Sequence, residues 1–163
     1  MVQRLLQQCL PYSKKIWCQG TVFVITDRLR SARHLSPSEI QEMVKSGLVE
    51  IGSHSVSHSD LTQIPNDKVW HEIYHSKKLL EQISGCEIVS FAYPFGKVND
   101  RVAELIKQTG YRVAFRIGPS LPISNADHLY KLNRIAVRED TNLQALFSAR
   151  EVAVANQRVS KSL

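Results

Sequence analysis

Cysteine is scarce and carries no pairing pattern: the chain of 163 residues has three, Cys9, Cys18 and Cys86, and no C-x-x-C. An odd count without close spacing excludes a disulfide framework or a cysteine zinc knuckle as the organising device. Buried or incidental free thiols in a reducing compartment are expected instead. Long apolar runs are also missing. No stretch approaches the ~18 apolar residues of a membrane span, and the N-terminal "MVQRLLQQCLPYSKK" has no signal-peptide core. The chain as written is therefore expected to be soluble and cytoplasmic. A G-x-S-x-G elbow and a glycine-rich phosphate loop are both lacking, which removes the usual signatures of serine nucleophiles and nucleotide cradles. Charge is not balanced, at +6, but the lysines and arginines are scattered and form no stripe interleaved with aromatics. Nucleic acid is not an expected partner.

What is present is an ordinary globular composition, 43% hydrophobic, long enough for one domain with a real core. A single domain over residues 1–155 and a polar tail over 156–163 are expected. "VQRLLQQCL" has apolar positions at helical spacing, limited by Pro11. "GTVFVIT" (20–26) is apolar on both faces, as in a strand buried on both sides. In "LSPSEIQEMVKSG", Ser36 is a good N-cap, Pro37 sits at the first helical position, Glu39 lies three after the cap, and Gly47 stops the helix. "LVEIGS" is a short strand. "NDKVWHEIYHSKKLLEQISG" has an amphipathic face of Val69, Ile73, Leu79, Leu80 and Ile83. "EIVSFAYPFG" is a strand with a Pro/Gly turn, and "NDRVAELIKQTG" is a helix capped by Asn99 or Asp100. Strands "YRVAFRI" and "KLNRIAV" follow, and Asp140 or Thr141 can cap a last helix, "NLQALFSAREVAVA". Such alternation argues for an α/β fold with mainly parallel strands, an open sheet or a barrel, whose reactive groups gather at the carboxyl ends of the strands.

Two motifs fall at such ends. In "EIGSHSVSHSDL", His54 and His58 have the four-residue spacing that puts two imidazoles on one helical turn, where they can share a zinc-type metal. His54 would open that turn, and Ser53, Ser55, Ser57 and Ser59 would orient the rings or cap it. Against this stands a plain serine-rich loop with two exposed histidines. His71 and His75 repeat the spacing on a helix without the strand-end setting, and are not expected to be ligands. "FAYPFG" exposes backbone N–H groups at a turn, able to stabilise an oxyanion or simply to join strand to helix. Arg134 interrupts an apolar strand pattern; it either supports an acidic site or faces water from an edge strand. His128 is a loop histidine in reach of an acid/base role by position only.

Taken together, "GTVFVIT", "VEIGSHSVSHSDLT", "SFAYPFG", "TGYRVAF" and "LNRIAV" resemble, in order and spacing, the polysaccharide deacetylase (NodB-homology) family of carbohydrate esterases, from about Leu10 to Val137. The resemblance implies an incomplete (β/α) barrel, and removal of N-acetyl groups from N-acetylglucosamine-containing polysaccharide by a divalent metal, most commonly zinc. It carries the metal-ligand role onto His54 and His58. It makes the Phe95 N–H the oxyanion donor and Tyr93 and Pro94 substrate-binding residues, beside which Arg134 is a candidate supporting residue. Ala92 stands where the family's R-P-P-Y-G motif has arginine. The family's T-F-D-D-G motif, which supplies the general base and the third metal ligand, has no counterpart, since no Asp-Asp pair occurs in the chain. That departure implies a barrel lacking its first strand, a metal site short of one ligand and impaired catalysis. The alternative is a non-catalytic sugar- or metal-binding relative.

Overall fold

The computed structural model describes residues 20–118 and 126–134. Five strands, β1 (Gly20–Val24), β2 (Val49–Ser53), β3 (Ser90–Ala92), β4 (Val113–Ile117) and β5 (Leu132–Arg134), form one sheet in chain order. Every pairing is parallel. Helices α1 (Pro37–Lys45), α2 (Asn66–Ser84) and α3 (Asp100–Gln108) provide the first three crossovers. The expected helix over residues 2–10 and the one after Asp140 lie outside the described residues. No helix among those described is long and apolar enough to cross a membrane.

Local signals placed these elements well. Ser36 Oγ accepts the Glu39 N–H while the Glu39 carboxylate accepts the Ser36 N–H, a reciprocal capping box, with Pro37 opening α1. Asn99 caps α3 by accepting the Val102 N–H at 3.0 Å, and Gly85 ends α2 in the left-handed conformation. Two expectations need correction. β1 is exposed at Gly20 and Thr21 and only half-buried at Val22 and Phe23, because it forms one edge of the described sheet. Leu79 is exposed, for the buried stripe of α2 runs through Val69, Ile73, Ser76 and Leu80, and Leu79 lies 100° from its neighbour on the helix. Cys86 is a free, exposed thiol, in keeping with the expected incidental one.

Strands taken in order by parallel crossovers of one hand carry their helices on one face. On that face Val24, Ile51, Phe91 and Ala114 pack with Ile40, Met43, Val69, Ile73, Leu80, Val102 and Ile106. The other face is concave. Phe23 on β1 and Phe115 on β4 touch edge to face at 5.7 Å between centroids, and the Arg134 guanidinium on β5 lies 5.2 Å from the Phe23 centroid. Strands sit about 4.8 Å apart, so side chains upright on a flat sheet would be separated by about 14 Å and 19 Å. The sheet is therefore curled, an arc of a (β/α) barrel, as the resemblance implied.

Gly52 makes room for that curl. A Cβ there would lie 2.5 Å from two Phe23 ring atoms and 2.7 Å from Ser90 Oγ. Gly52→Ala is expected to destabilise the fold by about 1–3 kcal/mol, the usual cost of overpacking where a ring must shift. A denaturant midpoint unchanged from the parent would mean that Phe23 moves aside freely.

Candidate functional site

His54 is the first residue past β2, and its N–H donates to the Val24 carbonyl at 2.9 Å. The helical turn expected between His54 and His58 does not form. Ser55 and His58 both adopt left-handed backbone (φ 67°), which folds the segment into a compact loop. Ser55 Oγ accepts the His58 N–H at 3.0 Å, and Thr26 and Asp27 donate to the Ser55 and Val56 carbonyls. The result still brings the imidazoles together, 4.7 Å between centroids at 74°.

The serines act on the loop rather than on the rings. Ser53 donates to Ser76 on α2, Ser55 caps His58, and Ser57 donates to Glu72 and contacts Ser59. Ring orientation comes from Ala92 at the end of β3, whose carbonyl oxygen lies 2.6 Å from His54 Nδ1. A carbonyl only accepts, so Nδ1 carries the proton and Nε2 keeps its lone pair for a metal. Burial lowers the His54 pKa to about 4, helped by His58 and Arg134 and opposed by the Ala92 hydrogen bond. His58 is lowered too, by burial and by the charge of Arg28. Both rings are neutral at neutral pH, the form that ligates.

Glu72 is the residue that sequence reasoning passed over. Nearly buried on α2, its carboxylate accepts the Val56 N–H (3.0 Å), the Ser57 N–H (2.9 Å) and the Ser57 hydroxyl (2.6 Å). A signal existed: a carboxylate directly before Ile73, on the apolar stripe of an amphipathic helix, needs partners. Ala92 gave no such signal, since it acts through its backbone.

The Y-P-F-G turn follows β3. Tyr93 and Pro94, expected to bind substrate, are buried; the Tyr93 hydroxyl donates to the Tyr130 carbonyl at 2.8 Å and its ring packs on Phe91. The face that the motif offers to a ligand is Phe95, 58% exposed, with its ring 4.6 Å from that of His58. Phe95 is in left-handed backbone (φ 57°, ψ 6°), and its N–H makes no hydrogen bond among the described residues. A backbone N–H without a partner among the described residues, in a turn whose ring touches His58, is a donor of the kind that can meet an oxyanion.

Arg134 is half-buried over the Phe23 ring; its Nε has no hydrogen-bond partner, and no carboxylate pairs with it among the described residues. The expected carboxylate partner is thus not found there. His71 and His75 sit on the exposed side of α2, rings 4.4 Å apart. The side chain of His128 lies outside the described residues.

Two neutral imidazoles, one with a fixed tautomer, fit two positions of a zinc-type site. Among the described residues no cluster of three His, Cys, Asp or Glu side chains could hold an ion. The two imidazoles thus stand without a third such side chain among the described residues.

Residues 2–114 match the sequence profile of the family described as polysaccharide deacetylase. A polysaccharide deacetylase from Bacillus cereus, known by crystal structure, is 34% identical with a TM-score of 0.73, over 80% of this chain and 41% of that one. The deacetylase PplD of Streptococcus pyogenes, solved in complex with acetate, is 26% identical with a TM-score of 0.80, over 89% of this chain and 64% of that one. The poly-beta-1,6-N-acetyl-D-glucosamine N-deacetylase of Staphylococcus aureus (strain MRSA252) is 24% identical over 153 residues, 86% of this chain and 52% of the relative. The chain spans about half the length of the curated relatives it matches.

Proposed function

Since the chain belongs to the polysaccharide deacetylase family, we propose that it holds a divalent metal, most readily zinc, through His54 and His58 and acts on N-acetyl groups of an N-acetylglucosamine-containing polysaccharide. The observation that carries this reading is the pairing of a tautomer-fixed, neutral His54 with His58, whose ring lies against that of Phe95, a residue whose N–H has no partner among the described residues. When bound, the ion supplies Lewis-acid polarisation of the amide carbonyl and acidifies water. The chain's own residues do the rest. The Ala92 carbonyl holds the His54 proton on Nδ1, Ser55 and Glu72 hold the loop that presents His58, and the Phe95 N–H faces the oxygen on which negative charge develops.

A base that takes the proton of water is a carboxylate or imidazole near its working pH. The sequence has no Asp-Asp pair to provide it in the manner of the family, so turnover is expected to be slow. Two imidazoles without a carboxylate also bind zinc weakly.

The test is a zinc titration with an assay of acetate release from a poly-N-acetylglucosamine oligomer. Both are run in a His71→Ala/His75→Ala background, which removes the exposed pair on α2. One zinc per chain is expected, with affinity falling at least tenfold in His54→Ala and in His58→Ala, and slow acetate release that the His54→Ala protein does not match. Zinc affinity indifferent to both substitutions would sink the metal assignment. Acetate release equal in the parent and in His54→Ala would sink the catalytic one.

A further inference from the structure

A groove of about 470 Å³ opens beside the site, at the carboxyl ends of β3 and β4. Gly96 and Lys97 form one wall and Arg116 and Ile117 another, while Thr62 and Gln63 close the side toward the histidine loop. Gly96, which lines the groove, directly follows Phe95, so the groove adjoins the turn that carries the Phe95 N–H. Two exposed apolar side chains flank the passage, Phe95 at 58% and Ile117 at 56% exposure. An exposed aromatic ring such as that of Phe95 can receive the apolar face of a sugar.

Charge decides what the groove prefers. Among the described residues no carboxylate lines it, and two cations do. Lys97 is already neutralised, since its ammonium lies 2.7 Å from the Asp60 carboxylate. Arg116 is not: its Nε donates to Asn133 Oδ1, a neutral acceptor, at 2.7 Å, and it makes no ion pair among the described residues. One guanidinium edge is thus held by an amide, and the terminal N–H groups meet no carboxylate among the described residues. A fixed, half-buried guanidinium with open donors binds planar or tetrahedral oxyanions.

We propose that this groove is a subsite for an anionic unit, a sugar bearing a carboxylate or a phosphate, next to the N-acetyl sugar under attack. Arg116 is its specificity-determining residue. The proposal rests on the deacetylase reading for the identity of the neighbouring sugar, and it narrows the substrate from any N-acetylglucosamine polymer to one carrying negative charge.

The experiment measures binding of three oligosaccharides of equal length to the full chain: neutral N-acetylglucosamine, one containing a uronic acid, and one bearing a phosphate. At least one anionic oligomer is expected to bind tenfold or more tightly than the neutral one, with an affinity that falls with added salt. The two anionic arms identify which group is taken. Arg116→Gln should remove the preference and leave the zinc titration unchanged, and Arg116→Lys should restore part of the preference. Equal affinity for all three oligomers in the parent chain would overturn the proposal, as would a preference that survives Arg116→Gln. If Arg116→Gln does not fold, the parent's three affinities and their salt dependence decide alone. Failure of the deacetylase reading would appear separately, as zinc binding and acetate release indifferent to His54.

Discussion

Glu72→Ala is expected to destabilise the chain by about 4 kcal/mol and to release the loop that carries His58. Three hydrogen bonds converge on this carboxylate, from two backbone N–H groups and a hydroxyl, at 2.6–3.0 Å. Hydrogen bonds to a charged group are worth about 1.5–3 kcal/mol each, and donors left buried without an acceptor add a desolvation cost. Simple addition would overstate the loss, because the freed loop regains some contact with water. The loop also contains two non-glycine residues in left-handed backbone, Ser55 and His58, each of which needs its surroundings to over-determine it. Glu72 supplies much of that determination. Glu72→Gln is a sharper probe, since it keeps the volume but turns one acceptor into an amide donor that faces other donors. Chemical denaturation gives the stability, and hydrogen exchange at the Val56 and Ser57 amides reports the loop itself. A loss below about 1 kcal/mol with unchanged exchange at those amides would remove Glu72 from this role.

Gly96→Ala is the second change expected to be severe, at about 3 kcal/mol or more. Two costs add at this position. The backbone is left-handed (φ +69°), which costs about 1 kcal/mol for a residue with a side chain. The added Cβ would also lie 2.6 Å from both the backbone nitrogen and the Cβ of Ile117 on β4. A ring can rotate away, as Phe23 can from Gly52, but a strand backbone held in a ladder cannot. Gly85 separates the two effects. It has the same left-handed backbone (φ +70°) and nothing within 4 Å of an added Cβ, so Gly85→Ala should cost about 1 kcal/mol only. Equal losses at the two positions, measured by thermal or denaturant unfolding, would show that the close approach of β4 is relieved at no cost. The turn carrying the Phe95 N–H is pinned to β4 by this contact, and Gly96→Ala should therefore also lower any acetate release.

His54 and His58 were legible as a pair, because strand-end position and four-residue spacing are both written in the chain. So were the caps of α1 and α3, which depend on bonds between residues three apart, Ser36 with Glu39 and Asn99 with Val102. The parallel α/β order could be read for a similar reason: apolar periodicity and helix stops are local properties. What brings the two imidazoles together is not local. The Ala92 carbonyl that fixes the His54 tautomer is 38 residues away, and the Glu72 carboxylate that holds the loop is 15 and 16 residues from the amides it binds. The sequence places histidines at a strand end but does not say that a loop with two left-handed residues, rather than a helical turn, joins them. It marks Y-P-F-G as a turn without revealing that Tyr93 and Pro94 point into the core while Phe95 faces out. Patterns within a few residues determine the elements, because helix and strand periodicity and capping bonds close over short spans. Which donor meets which acceptor across a curled sheet depends on how those elements pack, and the tertiary structure alone decides it.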